Sequence, residues 1–127
     1  MTNLIIRCDG GAEPNPGYGY GSWQVELNGC FLQKRSRTFL GDPITNNQAE
    51  YLILIDCLKT LAGQFQVATT LEIFLDANLV VHQLNGRWKT KHPNMKPLLA
   101  QCRMLLDEYT WSARWNGRQN NVSLFGH

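Results

Sequence analysis

The chain has 127 residues, 43% of them hydrophobic and 17% charged, which is enough apolar material for one domain with a buried core. Twelve Lys and Arg against ten Asp and Glu leave a net charge of +2, too little to mark a nucleic-acid binder by charge alone. The longest aliphatic stretches, residues 4–6 and 52–55, are far too short to span a bilayer, and the first residues lack the apolar core of an export signal.

In chain order, residues 4–8 are short, apolar and β-branched and read as a strand. Gly10-Gly11-Ala12-Glu13-Pro14-Asn15-Pro16-Gly17 follows, a stretch expected in a loop and in neither a helix nor a central strand. Residues 18–27 alternate in polarity, Asn28-Gly29 is a two-residue hairpin signal, and residues 30–39 return as a second long strand with Lys34, Arg35 and Arg37 exposed. Past Gly41-Asp42-Pro43 the period becomes helical, with Tyr51, Leu54, Ile55, Leu58, Leu61 and Ala62 on one face and Asn46 or Thr45 as the cap.

Residues 71–75 form a fourth strand that ends in Asp76, and residues 77–84 a short helix stopped by Asn85-Gly86. Residues 94–109 form a longer helix, with Leu98, Cys102, Leu105, Leu106 and Tyr109 inward and Pro97 in its first turn. A fifth strand over 110–114 and a last helical piece over 118–125 complete the chain. The order β-β-β-α-β-α-α-β implies one α/β domain, 1–127, with a mixed sheet and helices on its faces. Cys8, Cys30, Cys57 and Cys102 form no Cys-x-x-Cys pair and are expected to be reduced thiols, mostly buried, in a cytoplasmic protein.

Two carboxylates draw notice because each ends an apolar strand. Asp9 and Asp76 would lie at the carboxyl edge of the sheet, where open α/β sheets bind ligands. Glu50 borders the buried stripe of the first helix and can reach the same edge if that helix packs on the sheet. Three converging carboxylates repel one another, and a divalent cation is the natural compensation. Taken singly, each has an ordinary explanation as a turn former or a complement to the helix dipole.

The surrounding motifs carry a resemblance. Cys8-Asp9-Gly10-Gly11-Ala12-Glu13-Pro14-Asn15-Pro16-Gly17 resembles the opening signature of the type 1 ribonuclease H family. Thr45-Asn46-Asn47-Gln48-Ala49-Glu50-Tyr51 is similar to its second motif, and Leu75-Asp76-Ala77-Asn78-Leu79-Val80-Val81 to its third. The resemblance implies a ribonuclease H-like five-stranded sheet, three antiparallel strands followed by parallel ones. It also implies hydrolysis of the RNA strand of RNA–DNA hybrids with Mg2+ or Mn2+, two ions being expected, to give 5′-phosphate and 3′-hydroxyl ends.

Carried over by position, Asp9, Glu50 and Asp76 would be catalytic metal ligands. The fourth position departs from the family pattern, Trp-x-Pro-Arg-x-x-Asn-x-x-Ala-Asp. Registered from Trp111, the pattern puts Asn121 in place of the aspartate, and registered from Trp115 it puts Phe125 there. The first register is preferred because Trp111 continues a strand and an amide oxygen can coordinate. An Asn there should weaken metal binding and slow turnover without abolishing chemistry. His127 is terminal and is not a secure match for the family's loop histidine.

Substrate contacts implied by the resemblance fall on Gly10, Gly11, Asn15, Asn46, Asn47, Gln48 and Asn78, whose amides and backbone suit sugar hydroxyls and phosphates better than base edges. Arg87, Lys89, Lys91 and Lys96, with Trp88, form a short basic segment that can follow a phosphate backbone or form a solvated loop. The reading from sequence is therefore a monomeric hybrid-cutting endonuclease, with double-stranded RNA as a second A-form substrate. The alternative is a catalytically impaired module that binds hybrid or double-stranded RNA.

Overall fold

The computed structural model describes residues 2–65 and 69–116, so the helical piece expected at 118–125, with Asn121, Phe125 and His127, lies outside the described residues. Five strands and three helices follow in the order β1 (Asn3–Glu13), β2 (Gly17–Leu27), β3 (Cys30–Ile44), α1 (Asn46–Leu61), β4 (Thr70–Leu75), α2 (Asn78–Leu84), α3 (Lys96–Leu106) and β5 (Thr110–Trp115). They make one mixed sheet in the order β3-β2-β1-β4-β5. The first three strands are antiparallel, while β1–β4 and β4–β5 are parallel.

The β2–β3 turn has Asn28 at φ 50° and Gly29 at φ 90°, the left-handed pair that a tight hairpin needs. Two strands run longer than the sequence suggests, each for a reason of position. β1 is central only to Cys8, which pairs with Leu75 of β4 and Trp23 of β2. Beyond it β4 has ended, and Asp9 to Glu13 pair with β2 alone, so the glycine-rich stretch is a one-sided strand rather than a loop. β3 is the sheet's edge, and there Pro43 removes no ladder bond that the sheet requires.

Leu4, Ile6 and Cys8 of β1, Trp23 and Val25 of β2, Leu71, Ile73 and Leu75 of β4 and Ala113 of β5 turn one side of the sheet toward α1, α2 and α3 in a single buried cluster. Each large side chain so buried contributes on the order of 1.5–3 kcal/mol. The helix α1 is buried more widely than a single stripe, adding Ala49, Glu50, Ile53 and Cys57, because α3 packs on it as well as the sheet. Ala62, expected on the buried face, is instead the exposed C-cap. Further along α1, Asp56 accepts from Trp23 Nε1 at 2.8 Å and from Arg35 Nη1 at 2.9 Å, fastening the helix over β2 and β3.

Cys8, Cys57 and Cys102 are buried and Cys30 is exposed, all as free thiols. Among the described residues no helix is long and apolar enough to cross a membrane.

Candidate active site

The start of α1 comes unusually close to β1, and two facing glycines make this approach feasible. Gly10 pairs with Gly21 across β1 and β2. A Cβ on Gly10 would sit 2.5 Å from the Ala49 carbonyl, and one on Gly21 would sit 2.8 Å from Ile53. Thr45 is the N-cap: its side chain accepts from Gln48 N at 3.2 Å, and Gln48 Oε1 accepts from Thr45 N at 2.8 Å, a closed capping box. Of the two caps left open by the sequence, Thr45 serves, and Asn46 begins the helix.

That approach delivers Glu50 to the ends of β1 and β4. Its carboxylate is fully buried, with Oε2 accepting from Gly10 N at 2.8 Å and Oε1 from Asp76 N at 2.7 Å and Ala77 N at 3.3 Å. Burial pushes its pKa from 4.5 up to about 8, and the nearby Asp9 charge adds to the rise while the three N–H groups oppose it. Asp9 stands one residue past the last β1–β4 pair, opposite Ser22, and is 6% exposed. Half-buried Asp76 follows β4 directly, and its carbonyl accepts from Trp115 Nε1 at 2.9 Å.

Asp9, Glu50 and Asp76 thus line one cavity of about 460 Å3, together with Gly10, Gly11, Asn15, Asn46 and Asn47. Asn46 Oδ1 accepts from Ala12 N at 2.7 Å, and Asn15 Oδ1 accepts from Asn46 N at 3.0 Å, so the amide oxygens tie the β1–β2 turn to the helix. Gln48, engaged in the cap, and Asn78, at the start of α2, are not among the lining residues. The sequence reading missed Tyr20, which lines the cavity opposite Gly11; its place in the β2 alternation was the available signal.

Among the described residues no group of three acidic, histidine or cysteine side chains forms a ready metal cage. The donor chemistry nevertheless fits a hard divalent cation. Three carboxyl groups on one cavity offer only oxygen, and burial beside the Asp9 charge penalises the ionised form of Glu50, a penalty that a bound cation would relieve.

A second, basic cavity of about 400 Å3 is lined by Trp88, Lys89, Thr90, Lys96, Leu99 and Arg103, among others. Trp88 is 45% exposed, and its ring stacks on His82 with centroids 4.1 Å apart. Arg87 Nε donates to His82 Nδ1 at 2.7 Å.

The model of the family described as "Reverse transcriptase-like" matches residues 7–123. The N-terminal RNase H domain of Rv2228c from Mycobacterium tuberculosis, solved as a fusion with maltose-binding protein, superposes with a TM-score of 0.86 at 32% identity, over 97% of this chain and 88% of that one. Against the full bifunctional protein Rv2228c the chain is 36% identical over 107 residues, 84% of its own length, and spans only 29% of the relative. LC11-RNase H1, solved in complex with an RNA/DNA hybrid, superposes with a TM-score of 0.85 at 30% identity, covering 94% of this chain and 89% of that one. Ribonuclease HI of Halobacterium salinarum is 32% identical over 114 residues, 89% of this chain and 56% of the relative. Fold, cleft and relatives agree: the chain belongs to the type 1 ribonuclease H family, within the reverse transcriptase-like group.

Proposed function

We propose that this chain is a metal-dependent endonuclease that hydrolyses the RNA strand of RNA–DNA hybrids, leaving 5′-phosphate and 3′-hydroxyl ends. The observation that carries the reading is the single cavity on which Asp9, Glu50 and Asp76 meet at the carboxyl ends of β1 and β4. Mg2+ or Mn2+ held by these three carboxylates, with Asn121 as a fourth oxygen donor, would supply an activated water and neutralise charge on the leaving 3′ oxygen.

The chain's own residues do the positioning. Glu50 binds three backbone N–H groups from two different segments, so Asp9 and Asp76 flank it at fixed separation. Gly11 presents bare backbone to the cavity, which lets a sugar-phosphate chain approach β1 closely, while Gly10 makes room for α1 and gives its N–H to Glu50. Asn15 and Asn46 use their oxygens within the protein, leaving the Nδ2 donors to address sugar hydroxyls or phosphates. Gln48 and Asn78 take part through the α1 cap and the α2 start, and Asn47 from the cavity wall. Lys89 and Lys96 would meet the backbone of the duplex beyond the cleft. We propose that it acts as a monomer in the cytoplasm and also takes double-stranded RNA, since both duplexes are close to A-form.

The test is digestion of a uniform-length hybrid in Mg2+ and in Mn2+, beside single-stranded and double-stranded RNA. Internal cuts confined to the RNA strand, abolished by chelation, are expected. Intact hybrid in both metals, with binding retained, would make the chain a binding module instead.

A further inference from the structure

Four hydrogen bonds from other parts of the fold hold the turn that carries Asp76. β4 ends at Leu75, α2 begins at Asn78, and the N-cap residue between them, Ala77, has no side-chain oxygen with which to close the turn. Two elements supply what Ala77 lacks. From α1, Glu50 Oε1 accepts the N–H groups of Asp76 at 2.7 Å and Ala77 at 3.3 Å. From the β5 side, Asn116 N donates to the Leu75 carbonyl at 2.7 Å and the Trp115 indole Nε1 to the Asp76 carbonyl at 2.9 Å.

Trp115 closes β5 and pairs with Leu75, so the parallel register itself delivers the indole to the next carbonyl. The residue is 58% exposed, which leaves little core packing to account for a tryptophan at this point. What it does make is one directed hydrogen bond, to the peptide of a carboxylate that lines the cleft.

We propose that Trp115 is a positioning residue for the Asp76 carboxylate. Its indole N–H fixes the Asp76 peptide from one side as Glu50 fixes it from the other, which sets the direction in which the carboxylate meets a divalent cation. The inference rests on the functional reading above. Groups one bond removed from a metal ligand act in this way, by holding its orientation. Without the indole N–H, the Asp76 carbonyl loses its β5 anchor and the carboxylate is held less firmly against the cavity it shares with Asp9.

The test is a titration of the full 15N-labelled chain with Mg2+ alone, read on the backbone amides of Gly10 and Asp76 and on the indole N–H of Trp115. The wild-type indole is assigned through its own side-chain correlations, so this part needs no variant. All three signals are expected to move together with one dissociation constant. The Trp23 indole, bonded to Asp56 further along α1 and outside the cavity, should stay still. Trp115→Phe keeps a ring and removes the donor, and should raise the Mg2+ dissociation constant about tenfold. It should also lower kcat while leaving KM for the hybrid unchanged. A wild-type Mg2+ constant in Trp115→Phe, or an indole that ignores Mg2+, overturns the proposal. So does a rise in KM alone, which would make the ring a platform for substrate. A wild-type chain in which neither Gly10 nor Asp76 responds to Mg2+ would instead overturn the metal-site reading on which the proposal stands.

Discussion

The acidic cleft and the basic flank are built on opposite plans. In the cleft, Glu50 is fully buried, Asp9 nearly so, and the backbone of Gly10, Asp76 and Ala77 is tied to one carboxylate. On the flank, Lys89 and Lys96 are exposed, Trp88 leans on His82, and the residues sit on the α2–α3 loop and the first turn of α3 rather than at strand ends. The contrast separates two tasks. Chemistry on a phosphodiester needs groups held within a fraction of an ångström, while attraction of a polyanion needs only charge at the right distance. A change in the cleft should therefore alter rate, metal affinity and stability, and a change on the flank should alter only binding and its salt dependence.

The largest expected effect lies in the cleft and depends on pH. The Glu50 pKa rises from 4.5 to about 8 on folding, so its contribution to stability is fully present below about pH 4.5 and is lost as pH rises through 8. With metal removed, the wild-type chain should lose stability across that window with a slope of at most about 1.4 kcal/mol per pH unit. Glu50→Gln should flatten it, and Mg2+ should lift the wild-type curve most at the alkaline end. Urea midpoints from pH 5 to 9, with chelator and with Mg2+, provide the measurement; parallel curves for the two proteins would place the titrating group elsewhere.

Gly10→Ala comes next. Its Cβ would collide with the Ala49 carbonyl carbon and oxygen, which are backbone and cannot swing aside, so α1 must lift off the sheet. A loss of about 1–3 kcal/mol is expected from overpacking of this kind. Because Glu50 rides on the same turn, cleavage should fall further than stability alone explains. Thermal unfolding and hybrid cleavage on one preparation decide this, and a variant with wild-type stability would contradict the close approach.

The smallest effect belongs to the flank. Lys89→Ala combined with Lys96→Ala should raise KM for hybrid a few-fold, leave kcat alone, and lower the log–log salt slope of binding by roughly 1 per lysine that meets a phosphate. A fall in kcat instead would dissolve the distinction between the two regions.

Much of the cleft was legible in the sequence because each acidic residue sits inside a local pattern: Asp9 and Asp76 at the ends of apolar runs, and Glu50 four residues before Leu54 on a helical stripe. What was not legible depends on which strands become neighbours. Gly10 and Gly11 read as a loop until β4 is seen to stop at Leu75, leaving β1 a one-sided strand. Pro43 read as a break until β3 is seen to be an edge. The bond from Trp115 to Asp76 needs the parallel β4–β5 register, and no spacing along the chain encodes it. Gln48 shows the converse, since the Thr45-x-x-Gln48 spacing already spells a capping box and its side chain is engaged there.

The most direct test of the central claim is Asp9→Asn, assayed for hybrid cleavage and hybrid binding side by side. Removing one charge from the cleft should reduce cleavage by more than about 100-fold, the upper end for groups one bond further from a metal. Binding should hold or tighten, because a carboxylate that repels phosphate has gone. Cleavage equal to wild type would mean that Asp9 is not in the site and that the acidic cleft is not where the phosphodiester is cut.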